Sequence, residues 1–400
     1  MPAPSKVAFI YLLGFALDLL NLFALGSAYP VMGQELQASV AQLSWVSNLY
    51  LIGLTLVIPL GSWLARRIGE RQTLLLSLLL FGLATVLAGS ARAIDSLLLW
   101  RLLQGVGGGL LIPVGQAMAY RACPPEQRHA LTARVMMVAL LVPALSPAVG
   151  GMLVDHASWR WIFFALLPLI LLTGLLTLAW LPTRVPRPGP GPLLDLALLR
   201  QPLLRTAMLV YLCVPGVFIG ANLLAVLYLQ AQLGLSATST GALMLPWSLG
   251  ALAAISLVRW RFRQWGPRPL LCAGILLQSL ALIGLAIPGL AQLKGVQVLI
   301  FLLLGLGSSL CSSSAQSLAF IAIAPERMGA ASTLWNLNRQ LSFGLGAGVL
   351  GAMLDALLPR PTAYTQVFVL AAAITLLALP AVLKLPGAQA LGLSSTALES

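Results

Sequence analysis

Trp100-Arg101-Leu102-Leu103-Gln104-Gly105-Val106-Gly107-Gly108-Gly109 stands inside the apolar run Leu97 to Met118. A guanidinium at membrane depth costs at least ~2.5 to 3.5 kcal/mol, so Arg101 requires a partner or a polar cavity to face. Asp18 lies near the middle of the first apolar run, Val7 to Tyr29, and no other acid sits so deep in a hydrophobic segment. One buried cation and one buried anion point to an ion pathway.

Working outward, the chain is 59% hydrophobic and 8% charged over 400 residues, against a charged share of about 25% in soluble domains. It reads as an integral membrane protein. A span takes roughly 20 apolar residues, and such runs fall near 7 to 29, 45 to 65, 72 to 91, 96 to 119, 131 to 154 and 160 to 181. Six more follow near 204 to 230, 237 to 258, 269 to 288, 294 to 320, 330 to 354 and 364 to 383. The expected fold class is all-α, with twelve transmembrane helices. The connections between runs are too short for a separate soluble domain, which excludes catalysis in an appended domain.

The net charge of +13 is not a nucleic-acid signal, because the placement of the cations follows the membrane. With the N-terminus cytoplasmic, 17 of the 23 Lys and Arg fall in cytoplasmic loops, tails or their rims, four fall outside, and Arg101 and Arg339 lie within spans. This positive-inside bias predicts a multi-pass protein of the inner membrane with both termini cytoplasmic. Cys123, Cys213, Cys272 and Cys311 are scattered without metal-ligand spacing, so neither a disulfide framework nor a metal site is indicated. No cofactor is expected beyond protons as coupling ion. The first span is too long, and carries Asp18 too centrally, for a cleaved signal peptide.

The same signals recur at an offset near 200 residues. Arg66-Arg67-Ile68-Gly69-Glu70-Arg71 after span 2 and Arg263-Gln264-Trp265-Gly266-Pro267-Arg268 after span 8 both read Arg-x-x-Gly-x-Arg. Pro125-Glu126 corresponds to Pro325-Glu326, Ala130 to Ala330, Gly151 to Gly351 and Asp155 to Asp355. A duplicated six-span unit follows, with an N-terminal half at 1 to 181, a Pro-, Gly- and Arg-rich linker at 182 to 203 and a C-terminal half at 204 to 400. Parallel repeats of this kind describe a transporter whose substrate site lies near the midplane and whose halves rock to alternate access. A monomer in the lipid bilayer handling a small molecule is the expected assembly.

Arg101, Gln104, Gly105, Gly108, Ile112 and Gln116 share one helix face, as do Tyr11, Gly14, Asp18, Asn21 and Leu25. Burial pulls a carboxyl such as Asp18 towards its neutral form and a nearby cation pulls it back, which is the condition for exchanging a proton near neutral pH. The plainer alternatives are that Asp18 is permanently ionised in a static pair and that Arg101 only binds backbone carbonyls. Span 5 carries Val142-Pro143-Ala144-Leu145-Ser146-Pro147-Ala148-Val149-Gly150-Gly151, where Pro143 and Pro147 favour a bend and Gly150 and Gly151 allow tight packing. Asn222, Trp247, Gln278, Ser312, Gln316, Asn336, Asn338 and Arg339 are further polar candidates for a cavity lining, although helix-to-helix hydrogen bonds explain any one of them as well. Trp45, Trp159 and Trp161 read as interfacial anchors.

These residues resemble the major facilitator superfamily, and within it the drug:proton antiporters related to the fourteen-span export group. The resemblance covers nearly the whole chain. It rests on Arg101-Leu102-Leu103-Gln104-Gly105, Ser146-Pro147-Ala148-Val149-Gly150-Gly151, Ser158-Trp159-Arg160-Trp161-Ile162-Phe163, Pro192-Leu193-Leu194-Asp195-Leu196, Leu229-Gln230 and Pro325-Glu326-Arg327 with Ala330-Ala331-Ser332. It implies that Arg101 takes part in proton transfer, that Pro143, Pro147, Gly150 and Gly151 form the antiporter signature, and that Arg66, Arg67, Gly69 and Arg71 form a conformational motif. The sequence departs from the family pattern at four points. Arg66 stands where that loop usually has Asp and Ser62 where it has Gly. Ser146 replaces a Gly, and the usual span 1 acid corresponds to Asn21, with Asp18 one turn earlier. The two extra spans of the fourteen-span group are absent.

The leading expectation is proton-coupled efflux of hydrophobic or amphipathic compounds, with Asp18 and Arg101 coupling protons and Asn21, Gln104, Gln116, Asn222, Trp247, Gln316 and Asn336 contacting substrate. Export of a specific metabolite such as an amino acid, sugar or siderophore, or proton-coupled import, is the alternative on the same scaffold. A non-transporting membrane sensor or scaffold leaves Asp18 and Arg101 without a purpose. An enzyme lacks a catalytic constellation to stand on.

Overall fold

The computed structural model describes residues 4–38, 40–183, 194–235, 240, 242–358 and 360–391. Among these the chain forms helices and no strand, as hydrocarbon requires of segments that must satisfy their own backbone. The long helices are α1 Pro4–Phe23, α2 Val40–Ile68, α3 Glu70–Gly89, α4 Ile94–Ala122, α5 Arg128–His156 and α6 Leu167–Trp180. After them come α7 Pro202–Tyr211, continued through a π turn at Leu212–Gly216 into Val217–Ala231, then α8 Met244–Trp265, α9 Pro267–Ala286, α10 Lys294–Ile321, α11 Met328–Leu357 and α12 Ala363–Leu376. Eleven of them, with their continuations, are long and apolar enough to cross a membrane. The twelfth is α8, which carries Arg259, Arg261 and Arg263 in its last two turns; the start of this span expected near 237 lies outside the described residues. Of the linker expected at 182 to 203, residues 184–193 lie outside the described residues.

The chain divides into two compact units. The first comprises Met1–Pro124, Val138–Leu196 and Ile323–Leu337; the second comprises Pro125–Met137, Ala197–Ala322 and Asn338–Ser400. The opening turns of α11 thus belong to the first unit and those of α5 to the second. Each of these helices is entered through a short 3-10 turn, Pro125–Gln127 and Pro325–Arg327, which is the repeat read from Pro125-Glu126 and Pro325-Glu326.

Each unit is built around one helix buried on all sides. In the first it is α4, buried at every residue from Gly107 to Tyr120; in the second it is α10, buried continuously from Ser313 to Phe320. Small residues let the neighbours approach. A Cβ on Gly105 of α4 would fall 2.1 Å from the carbonyl oxygen of Tyr50 on α2, and one on Gly305 of α10 would fall 2.0 Å from that of Trp247 on α8. Likewise a Cβ on Gly107 would lie 2.7 Å from the amide nitrogen of Phe81 on α3, and one on Gly307 2.6 Å from that of Gln278 on α9. Gly105 and Gly107 precede Gly305 and Gly307 by 200 residues, and Tyr50 and Phe81 precede Trp247 and Gln278 by 197. Residue for residue, the duplication is written in the helix crossings.

The crossings make a test. Gly305→Ala forces α8 and α10 apart and is expected to cost about 1–3 kcal/mol, read as a lower thermal unfolding midpoint in detergent. Gly295→Ala, where a Cβ meets no atom within 4 Å, is expected to leave the midpoint in place; equal effects would refute the crossing argument.

Candidate functional site

Asp18 and Asn21 lie one turn apart on α1 and are 6% and 1% exposed, while Arg101 and Gln104 on α4 are fully buried. The structure brings all four together in the first unit. Arg101 donates through Nε to the carbonyl of Val46 on α2 at 3.0 Å, and through Nη1 to Asn21 Oδ1 at 3.0 Å and to Gln104 Oε1 at 2.6 Å. Gln104 Nε2 passes the network on to Thr85 Oγ1 of α3 at 2.7 Å. One guanidinium therefore ties α4 to α1, α2 and α3. Among the described residues its Nη2 finds no hydrogen-bond acceptor.

Tyr50 completes the cluster and was not anticipated. Its hydroxyl donates to Asp18 Oδ1, and the Arg101 guanidinium lies 4.5 Å from its ring centroid, with the Phe163 ring at 6.0 Å. Tyr50 thus links Asp18 to Arg101 by two different interactions, a hydrogen bond and a cation–π contact worth ~0.5–2 kcal/mol. Gly108 admits this arrangement, since a Cβ there would stand 2.8 Å from the Tyr50 hydroxyl and 3.3 Å from Asp18 Oδ1. That glycine was the signal available in the sequence.

Gln116 and Asn336 form a second polar group in the first unit. Gln116 Oε1 accepts from Asn336 Nδ2 at 2.6 Å and from Ser332 Oγ at 2.7 Å. Asn222, Trp247 and Gln316 lie in the second unit. Gln316 is buried, and Trp247 stacks on Phe218 with ring centroids 5.8 Å apart and planes 7° from parallel. Among the remaining polar candidates, Gln278 Nε2 donates to the Val214 carbonyl at 2.9 Å, Asn338 Nδ2 to the Met208 carbonyl at 3.2 Å and Ser312 Oγ to the Ser308 carbonyl at 2.8 Å.

On α5 the helix continues through Pro143 and Pro147, and Ser146 Oγ donates to the Val142 carbonyl at 2.5 Å. The two signature glycines differ: a Cβ on Gly150 would meet the Ala24 carbonyl oxygen at 2.4 Å, whereas one on Gly151 would meet nothing within 4 Å. Gly150 is the packing glycine. In the loop after α2, Gly69 turns the chain at φ 95°, a conformation that favours glycine. Glu70 there pairs with Arg121, and Arg71 donates to the Leu178 carbonyl at 3.0 Å and to Thr183. Arg67 lies 4.5 Å over the Trp63 ring, and Arg66 stands beside it in the last turn of α2.

The Ser158 to Phe163 stretch corrects one expectation. Trp45 and Trp161 are exposed, but Trp159 is wholly buried in a core cluster formed with Leu25 and Met32 after α1, Val46 of α2 and Leu97 of α4, and so does not reach the lipid. Its Nε1 donates to Glu35 Oε2 at 2.9 Å, and Arg160 Nη1 donates to the same oxygen at 2.6 Å. A satisfied indole nitrogen removes the reason for it to face water.

Helices crossing in duplicate, with a buried Asp–Tyr–Arg cluster in the first unit, are the arrangement of a polytopic membrane transporter. The family model described as Major Facilitator Superfamily matches residues 11–347, and the chain belongs to that superfamily. Relatives named multidrug resistance protein MdtD from Salmonella heidelberg and Pectobacterium atrosepticum are 26% and 25% identical over 86% and 88% of this chain, and over 85% and 88% of their own lengths. Among solved structures, the human organic anion transporter MFSD10 aligns with a TM-score of 0.77 at 19% identity, covering 96% of this chain and 100% of its own. The proton:xylose symporter XylE aligns at 0.74 and 16% identity, covering 96% of each chain.

Arg160, foremost, and then Trp159 hold the Glu35 carboxyl below its ordinary range. Its stabilising share is therefore complete above the unfolded value, about 4.3, and is lost as pH falls through the lower folded value. Half-exposed as it is, the pair is worth at most ~1 kcal/mol. Glu35→Gln is expected to lower the unfolding midpoint slightly at pH 7, by a difference from wild type that shrinks as pH falls towards and through the lowered folded value; a difference that stays constant as the solution is acidified would contradict the assignment.

Proposed function

We propose that the protein is a proton-coupled exporter of hydrophobic or amphipathic compounds working by alternating access. The observation that carries this reading is the Asp18–Tyr50–Arg101 cluster, a titratable carboxyl held at membrane depth by a phenol that also bears on a guanidinium. Ionised, Asp18 is acceptor-only and takes the Tyr50 hydroxyl in a charge-assisted bond; protonated, it has a donor of its own and its hold on the phenol weakens. Tyr50 then reports the charge of Asp18 to Arg101, and through Arg101 to α1, α2, α3 and α4. The names carried by the MdtD relatives support export of drugs. Asn21 and Gln104 act within this cluster, holding Arg101, while Gln116, Asn336, Asn222, Trp247 and Gln316 remain the candidates for substrate contact.

A second reading, export of an organic anion, is favoured by Arg101 Nη2, a buried donor that finds no acceptor among the described residues, and is consistent with the MFSD10 likeness. The two readings separate on the charge of the cargo.

The test is uptake of a fluorescent lipophilic cation into inverted membrane vesicles with and without an imposed pH gradient. Wild type is expected to accumulate the dye with the gradient, Asp18→Asn to lose essentially all of that accumulation, and Tyr50→Phe to lose at least about tenfold, ~1.4 kcal/mol on the coupled step. Gradient-driven accumulation by Asp18→Asn at the wild-type rate would sink the proposal. Accumulation of a fluorescent carboxylate in place of the cation would move the assignment to the second reading.

A further inference from the structure

The two copies of Arg-x-x-Gly-x-Arg share a turn and differ in what their arginines do. Gly266, like Gly69, sits at positive φ, here 74°. Around Gly69 the cations are engaged by protein: Arg67 by Trp63, Arg71 by Leu178 and Thr183, and Glu70 supplies an acid to Arg121. Around Gly266 the engagement is thinner and involves no acid. Arg259, Arg261, Arg263 and Arg268 are all exposed, the stretch from Arg259 to Arg268 contains no acid, and among the described residues none of the four is ion-paired. Arg261 donates to Gln264 Oε1 at 2.6 Å and lies 5.6 Å from the centroid of the Trp265 ring.

The same end of α8 exposes two indoles, Trp260 at 73% and Trp265 at 48%, while Phe262 between them is buried at 1% and fixes the helix. Leu245, Leu249, Leu252 and Trp260 stand at spacings of four, three and eight residues on one face of α8, and are exposed at 69%, 63%, 37% and 73%. An apolar stripe thus runs along the helix and ends at a tryptophan beside unneutralised guanidiniums.

We propose that this end of α8, with Arg259, Trp260, Arg261, Arg263 and Trp265 and with Arg268 at the start of α9, is a docking site for an anionic phospholipid of the phosphatidylglycerol type. Guanidiniums present paired donors to phosphate oxygens, an indole settles at headgroup level, and the leucine stripe lies where the acyl chains would run. A free phosphate would use the arginines and leave the stripe and the indoles without a role. Juxtamembrane clusters of this size attract anionic lipid at roughly a fivefold gain per cation.

The full-length protein in detergent would be titrated with phosphatidylglycerol and, separately, with phosphatidylcholine of the same chains, and retained lipid read by native mass spectrometry. Wild type is expected to retain the anionic lipid at a concentration at least about fivefold lower. The triple variant Arg259→Gln, Arg261→Gln, Arg263→Gln is expected to cut that preference by at least about fivefold, and Arg66→Gln with Arg67→Gln to keep the wild-type preference. No preference in wild type, an undiminished preference in the triple variant, or complete displacement by inorganic phosphate would each overturn the proposal, the last by making the site one for a free anion. Should the triple variant fail to fold, wild type in about 0.5 M salt, where charges on the surface are screened, is expected to lose the preference. Its persistence there would overturn the proposal equally.

Discussion

A guanidinium is costly to bury in hydrocarbon without partners, and the first unit is arranged around that constraint at Arg101. Its three acceptors come from α1, α2 and its own α4, and Gln104 extends the network to α3. The four helices can slide or tilt only by exchanging these partners, so the cluster sets a small number of discrete arrangements rather than a continuum. The site is suited to switching for the same reason it is stable: every donor that leaves one acceptor must find another. Tyr50 is the member with the most latitude, because an aromatic ring keeps a cation–π contact over a range of tilts while its hydroxyl is either on Asp18 or off it.

Comparison of the two units isolates what is particular to the first. The crossing glycines Gly105 and Gly305 play one role twice, yet the positions around them have diverged. Where the first unit has Tyr50 against Asp18, the second has Trp247 stacked on Phe218; where the first has Arg101, the residue 200 later is the fully buried Phe301. The same backbone geometry therefore carries a charged, hydrogen-bonded cluster in one copy and an aromatic one in the other. Charge is costly at this depth and is found in one copy at this position, which is the economy expected when a single coupling site suffices.

The architecture was legible because hydropathy and the offset of 200 residues are physical consequences of a bilayer and of a duplicated backbone. Depth in an apolar run was enough to single out Asp18 and Arg101. Tyr50 escaped because a tyrosine in an apolar helix is indistinguishable from a packing residue until the helix opposite it is known, and Gly108, which makes room for it, looked like one glycine among five. Gln116 and Asn336 were marked separately as polar intrusions, and their hydrogen bond spans 220 residues of chain, a distance over which one sequence carries no pairing information. Trp159 was misplaced by the rule that tryptophans gather at interfaces; it is Glu35, far upstream, that gives its indole nitrogen a partner and so allows burial.

The boundaries of the two units do not fall between the repeats. The first unit is closed by Ile323–Leu337, the opening turns of α11, and includes Ser332 and Asn336, which bond Gln116. During synthesis, then, α1 to α6 emerge from the ribosome long before the segment that completes their packing, and Gln116 waits in the bilayer for partners that are translated more than two hundred codons later. The order in which this chain is made is at odds with the order in which its units can be finished, so the first unit must wait for most of the second to be inserted.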